Sequence, residues 1–183
     1  MASPLVDRAP QVRNVRARSR IANRNRHLAN IANEQRNFTG DIQQLPIIGK
    51  SHEGGLPFDS IVKRIVIYVM KEFKNGKDLV LVIEKQVDNF EKASRTKEPE
   101  IEVADYKNPA KMLRYGKLID IYFKREEIYK ENLSKLYGLI YGQCTPTMIA
   151  GVKSQPDYSA RDAIQDVAWL LQTVKKVSVG MDT

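Results

Sequence analysis

The stretch Lys135-Leu-Tyr-Gly-Leu-Ile-Tyr-Gly-Gln-Cys-Thr-Pro-Thr-Met148 carries an apolar helical pattern into Gly142-Gln143-Cys144 and starts a second one behind Thr145-Pro146. A helix stop is followed at once by a helix start. Thr145 can accept a hydrogen bond from an orphan N–H as N-cap, and Pro146 suits the first helical position because its missing N–H would have had no partner there. Gly142, Gln143, Cys144, Thr145 and Pro146 therefore form a structural junction between two helices.

Working back from the junction, Asn108-Pro109 repeats the cap-plus-proline start. The spacing predicts helix from Ala110 toward Tyr141, with Met112, Leu118 or Ile119, Tyr122, Tyr129, Leu133, Leu136 and Ile140 facing inward; the pattern is one long helix or two joined near Gly116. Working forward, Tyr158, Ile164, Val167, Leu170, Leu171 and Val174 predict a final helix. Its start lies between Ser159 and Asp166, and Lys175-Lys176 lie near its negative end.

Farther upstream, Ile61, Ile65, Val69 and Phe73, with Val62, Val66 and Met70 beside them, predict a helix that starts near Asp59 or Ser60. Either residue is expected to cap it, and Gly76 is expected to supply a left-handed stop. From Asp78 to about Lys92, the run Leu79-Val-Leu-Val-Ile83 is compatible with a buried strand. The spacing of Leu79, Ile83, Val87 and Phe90 favours helix. Residues 93–107 are charged, interrupted by Pro99, and read as a solvated connector.

Charge divides the chain. Residues 1–40 hold eight arginines, no lysine and only Asp7 and Glu34 as acids, so they carry +6 of the formal +8. The other 143 residues hold 22 basic and 20 acidic groups. Six arginines, Arg13, Arg16, Arg18, Arg20, Arg24 and Arg26, fall within fourteen residues among Asn and Ala. They repel one another, and too little apolar surface accompanies them to offset the cost of ordering, so residues 1–37 are expected to form a disordered arm. Guanidinium groups pair bidentately with phosphate, which points to RNA or DNA as the partner. The bland alternatives are a solubilising tail or a nuclear address. A transit peptide fits less well, because serine is scarce there. Residues 38–57, rich in Gly and Pro, read as a loop, 58–177 as the helical domain and 178–183 as a tail.

The chemistry-bearing residues are few. Cys144 is the single cysteine, which excludes an intramolecular disulfide and fits a reducing intracellular compartment, cytoplasmic or nuclear. The only histidines, His27 and His52, lie in the arm and the Gly-rich loop, so Cys144 reads as a packing residue and not a nucleophile. One Cys and two distant His cannot make a tetrahedral zinc site. Glu98, Glu100, Glu102 and Asp105 lack the glycine and ligand spacing of a calcium loop, and Gly49-Lys-Ser51 lacks the upstream glycine of a phosphate loop. These readings predict no catalytic residue, metal, cofactor or small-molecule substrate. No apolar run approaches the ~18 residues that cross a bilayer, so no membrane partner is expected.

The helix-Gly-Gln-Cys-Thr-Pro-helix junction behind a long Lys/Glu/Tyr-rich helix resembles the amino-terminal half of Gag-like polyproteins of copia-type retrotransposons. The matching pieces are Phe38-Thr-Gly40, the helix at 60–74, Lys107 to Tyr141, Tyr141-Gly-Gln-Cys144 and Asp166-Val-Ala-Trp-Leu-Leu-Gln-Thr-Val174. Together they span roughly residues 36–177. The resemblance implies an all-α, capsid-like domain of about five helices with one long helix, behind a disordered Arg-rich arm. It also implies a non-enzymatic structural protein of a transposable element, which self-associates into shells around the element's RNA. The chain departs from a full Gag in lacking a Cys-Cys-His-Cys zinc knuckle and a protease motif. It is also expected to lack a second capsid half, which leaves open an isolated reading frame, a decayed copy or a captured host gene. A host nucleic-acid-binding helical regulator is the alternative, although a recognition helix after Thr145-Pro146 would hold only Lys153 as a charged residue.

Overall fold

A computed structural model describes residues 40–49 and 56–180, all within the unit that begins at Thr39. Arg13 through Arg26, the rest of the arm, His27 and His52 lie outside the described residues. The described chain is all-α. Its helices are α1 (Phe58–Glu72), α2 (Val80–Lys85), α3 (Phe90–Ser94), α4 (Pro109–Gln143), α5 (Pro146–Lys153), α6 (Tyr158–Ala163) and α7 (Val167–Ser178). Short 3₁₀ turns occupy Gly76–Leu79 and Val103–Lys107.

The run Leu79–Ile83 is helical, not strand, as its spacing favoured. Seven helices replace the expected five because left-handed residues split two of the predicted elements. Gln86, at φ 54°, ends α2, and Phe90 restarts the helix behind Asn89, whose side chain caps Lys92 N–H at 2.8 Å. Val87 consequently turns outward and does not join Leu79 and Ile83 in the core. Gln165, at φ 51°, likewise separates α6 from α7, and Ile164 is left 69% exposed. Neither break carries the glycine by which left-handed positions are usually read.

Two further expectations are corrected at α1. Asp59 and Ser60 lie inside the helix; the N-cap position is Pro57, and no side chain caps it. The left-handed residue after α1 is Asn75, at φ 56°, which a short polar side chain tolerates. Gly76 serves a different purpose. A Cβ there would run into the carbonyl oxygen of Val69, so the chain crosses the end of α1 at a distance only glycine permits. The connector also departs from full solvation, since Ser94 is buried and Val103–Lys107 winds into a 3₁₀ turn.

The predicted caps at Asn108 and Thr145 are both formed, and α4 runs unbroken through Gly116 for 35 residues, about 52 Å. Its second half builds the core. Tyr129, Leu136, Tyr137 and Ile140 meet Ile61, Ile65 and Val69 of α1, Val82 and Ile83 of α2, and Leu170, Leu171 and Val174 of α7 in one buried cluster. Met148 and Val152 of α5 join it from below the junction. Met112, expected to face inward, is exposed because the first half of α4 extends past the apolar cluster, and of the alternatives Leu118 and Ile119 it is Ile119 that is partly buried.

Substituting Gly76 by Ala should destabilise the fold by about 2 kcal/mol or more, since backbone atoms cannot yield as a flexible side chain would. Urea unfolding followed by circular dichroism measures it. The same change at Gly116, where an added Cβ meets nothing within 4 Å, should stabilise the helix slightly.

Candidate functional site

The junction singled out in the sequence gathers backbone and side-chain hydrogen bonds from residues 41–48 and 140–148. A residue preceding proline is sterically pushed out of the helical region, and Thr145 accordingly sits at φ −61°, ψ 156°. Cys144 is extended as well, so α4 must end at Gln143. Thr145 Oγ1 accepts from Met148 N–H at 3.2 Å, and Pro146 takes the first position of α5.

Residues 40–48 are fastened across this break. Ile48 N–H donates to the Gln143 carbonyl at 2.8 Å, and Thr145 N–H donates to the Ile48 carbonyl at 2.9 Å, forming a one-residue parallel bridge to Cys144. The Gln143 side chain extends the fastening. Its Oε1 accepts from Ile42 N–H at 2.8 Å, while Nε2 donates to the carbonyls of Ile42 at 3.0 Å and Leu45 at 3.2 Å. At 1% exposure, this amide satisfies groups that the loop would otherwise bury unpaired. Both flanking glycines follow from the closeness. A Cβ on Gly142 would collide with the Asp41 carboxylate, and one on Gly40, at φ +72°, would lie 2.7 Å from Gln143 Oε1.

Cys144 sits beneath this fastening, 1% exposed, with its Sγ 3.2 Å from the Ile140 carbonyl. Burial pushes the thiol up to about 12. It is therefore a neutral thiol at physiological pH, the opposite of the depressed thiol that nucleophilic chemistry requires.

A second polar cluster went unread in the sequence. Arg125 clamps Asp78 bidentately, Nε to Oδ2 at 2.9 Å and Nη2 to Oδ1 at 2.8 Å, and its Nη1 donates to Thr96 Oγ1 at 2.9 Å. Asp78 is 3% exposed, so its charge needs this partner. Arg125 stands among Lys124, Glu126 and Glu127, which reads as a solvated helix face. The only available signal was Asp78 itself, an acid heading an otherwise apolar run. Along the same helix Tyr129 donates to Asp88 at 2.8 Å, Tyr137 to Asp162 at 2.7 Å, and Asn132 to the Lys74 carbonyl at 2.7 Å. Burial first, and then the bond to a carboxylate, raise both phenols well above the ordinary tyrosine value.

Among the described residues no buried side-chain nitrogen or oxygen lacks a hydrogen-bond partner, and no group of His, Cys, Asp or Glu converges to hold a metal ion. No described helix is long and apolar enough to cross a membrane. A groove of about 490 Å³ between the first 3₁₀ turn, α2 and α3 is lined by Lys77, Lys85, Lys92 and Arg95 together with the acids Asp78 and Glu84, and none of the four cations is in an ion pair among the described residues.

Replacing Cys144 by Ala should cost on the order of 1 kcal/mol, and the native thiol should react with a disulfide reagent more slowly than free cysteine. Alkali should unfold the protein through Tyr129 and Tyr137. Their folded values lie above the unfolded value of about 10, so their contribution is complete below that pH and is lost as pH rises past it. The melting temperature should hold to about pH 9 and then fall, with phenolate absorbance appearing only as the fold is lost. Compared with known protein families, with curated proteins and with solved structures, the chain matches none.

Proposed function

We propose that the chain is a non-enzymatic, capsid-like structural protein of the Gag-like class, which self-associates and binds RNA through its Arg-rich arm. The observation that carries this reading is the separation of charge: +6 lies in the first 40 residues, beside a body of 22 basic and 20 acidic groups. Arg13, Arg16, Arg18, Arg20, Arg24 and Arg26 supply phosphate contacts whose strength comes from counterion release and not from base reading. The body supports the non-enzymatic half of the reading. Its buried polar groups are spent on bracing α4 and the junction, its thiol is held neutral, and its buried carboxylate is neutralised by Arg125. The unpaired cations around the 490 Å³ groove offer the same phosphate chemistry in a weaker, secondary form. A DNA-reading regulator has less support, because Met148 and Val152 of α5 are committed to the core and leave that helix little surface for a groove.

Deleting residues 1–36 should weaken binding to an RNA oligomer by at least about a hundredfold at low salt and flatten its salt dependence, as read by fluorescence anisotropy. Unchanged affinity would remove the arm from the function. Light scattering after size-exclusion chromatography, with and without RNA, tests the self-association. A monomer in every condition would remove the capsid-like reading.

A further inference from the structure

The groove between the first 3₁₀ turn, α2 and α3 gathers cations whose charge the described residues do not use. Lys77, Lys85, Lys92 and Arg95 are all exposed, and none is in an ion pair among the described residues. Of the two acids in the lining, Asp78 is neutralised by Arg125, which leaves Glu84 alone against the four. Hydrogen bonds already fix the backbone around these cations. Lys77 directly precedes the clamped Asp78, and Lys92 N–H is held by Asn89. Arg95 lies between Ser94 and Thr96. Thr96 is tied by its N–H to Ser94 Oγ and by its Oγ1 to the Ser94 carbonyl, both at 3.2 Å, and its Oγ1 also accepts from Arg125. Arg95 itself stands at φ 53°, a left-handed conformation that glycine takes at less cost.

Ser94 supplies an independent observation. It lines the same groove at 7% exposure, and its Oγ accepts from Thr96 N–H but donates to no acceptor among the described residues. A nearly buried hydroxyl with an unused proton, beside unpaired cations, is satisfied by a bound oxyanion. We propose that the groove binds a compact ligand carrying two or more neighbouring phosphate groups. The Arg95 guanidinium pairs with one phosphate through two N–H donors, the lysine ammonium groups meet its neighbours as point charges, and Ser94 O–H donates to a phosphate oxygen. Four cations less Glu84 leave three positive charges, which favours a multiply charged ligand over a single carboxylate. The volume of about 490 Å³ is that of a small-ligand site, and partly buried Val80 and Leu81 offer an apolar wall to a sugar or base. Two sources share this chemistry, successive phosphates of an RNA chain and a free polyphosphate. The inference rests on the phosphate reading of the groove and is independent of the arm and of self-association.

The test is a nuclear magnetic resonance titration of the full-length, isotope-labelled chain with inorganic tripolyphosphate at constant ionic strength. The amide signals of Lys92, Ser94 and Arg95 should move together along one saturable curve. The double variant Lys85→Gln, Lys92→Gln should raise the dissociation constant read from that curve at least about tenfold. Ser94→Ala, which removes a donor and no charge, should raise it about threefold. Lys63→Gln with Lys153→Gln removes the same two charges from exposed positions outside the groove, and should leave the constant within about twofold. No saturable movement at Ser94 and Arg95, or an equal loss in the two double variants, would overturn the site and leave the arm's affinity for RNA standing. Conversely, a groove that titrates normally while deletion of residues 1–36 leaves RNA affinity unchanged would sustain this site and remove the arm. An unphosphorylated RNA oligomer added to the saturated protein assigns the source. Displacement of tripolyphosphate from the groove signals supports chain phosphates, and retention supports a free polyphosphate.

Discussion

The peptide unit before Pro146 governs the body of this protein. Because Thr145 cannot take helical angles ahead of a proline, a 35-residue helix stops at Gln143 and the chain leaves it extended. Two carbonyl and amide groups then face outward with no helical partner, and the backbone of Ile48 fills both roles. The arrangement is closed only because Gln143 turns its amide to the same loop. Ending a helix inside a core ordinarily strands several polar groups at a cost of one to three kcal/mol each, roughly, and here a single side chain and a bridge of one residue satisfy them.

From that point the rest of the packing follows in sequence. Stopping α4 at Gln143 lets α5 start under Cys144 and carries Met148 and Val152 into the same cluster as α7. Gly151 of α5 allows the close approach, since a Cβ there would lie 2.6 Å from Val177 of α7. On the other side, α4 is tied to the turn after α1 by Asn132, to the first 3₁₀ turn by Arg125 and to the α6 end by Tyr137. All three are polar contacts at the border of the apolar cluster. Apolar burial supplies most of the driving force, while these directed bonds set the register of one long helix against several short ones.

The two halves of α4 therefore do different work. Residues from Tyr122 onward are a core element. Those before it run past the apolar cluster, and Met112, Leu113, Leu118 and Ile121 keep much of their surface in water. The 22 basic and 20 acidic groups of the 143 residues after residue 40 contrast with an amino-terminal segment whose basic residues are all arginine.

What the sequence determined by itself is whatever depends on neighbours a few residues apart. The caps at Asn108 and Thr145, the prolines behind them, the 3.6-residue periodicity of α1, α4 and α7, and the junction at 142–146 were all legible, because a cap or an amphipathic face is written within one or two turns of chain. The tertiary structure alone decided where non-glycine residues turn left-handed. Gln86 and Gln165 do so next to residues that bond separate places on α4, Asp88 with Tyr129 just after the first turn and Asp162 with Tyr137 just before the second. It decided that Gly76 is needed for its missing Cβ and not for its dihedral freedom, since the obstructing oxygen belongs to Val69, a turn of chain away in space. It also decided that Arg125 belongs to Asp78, 47 residues earlier, and that Gln143 reaches back 101 residues to Ile42. A lone Arg in a charged face and a lone Gln at a helix end carry no local mark of their partners, because such pairings exist only once the helices between them have packed.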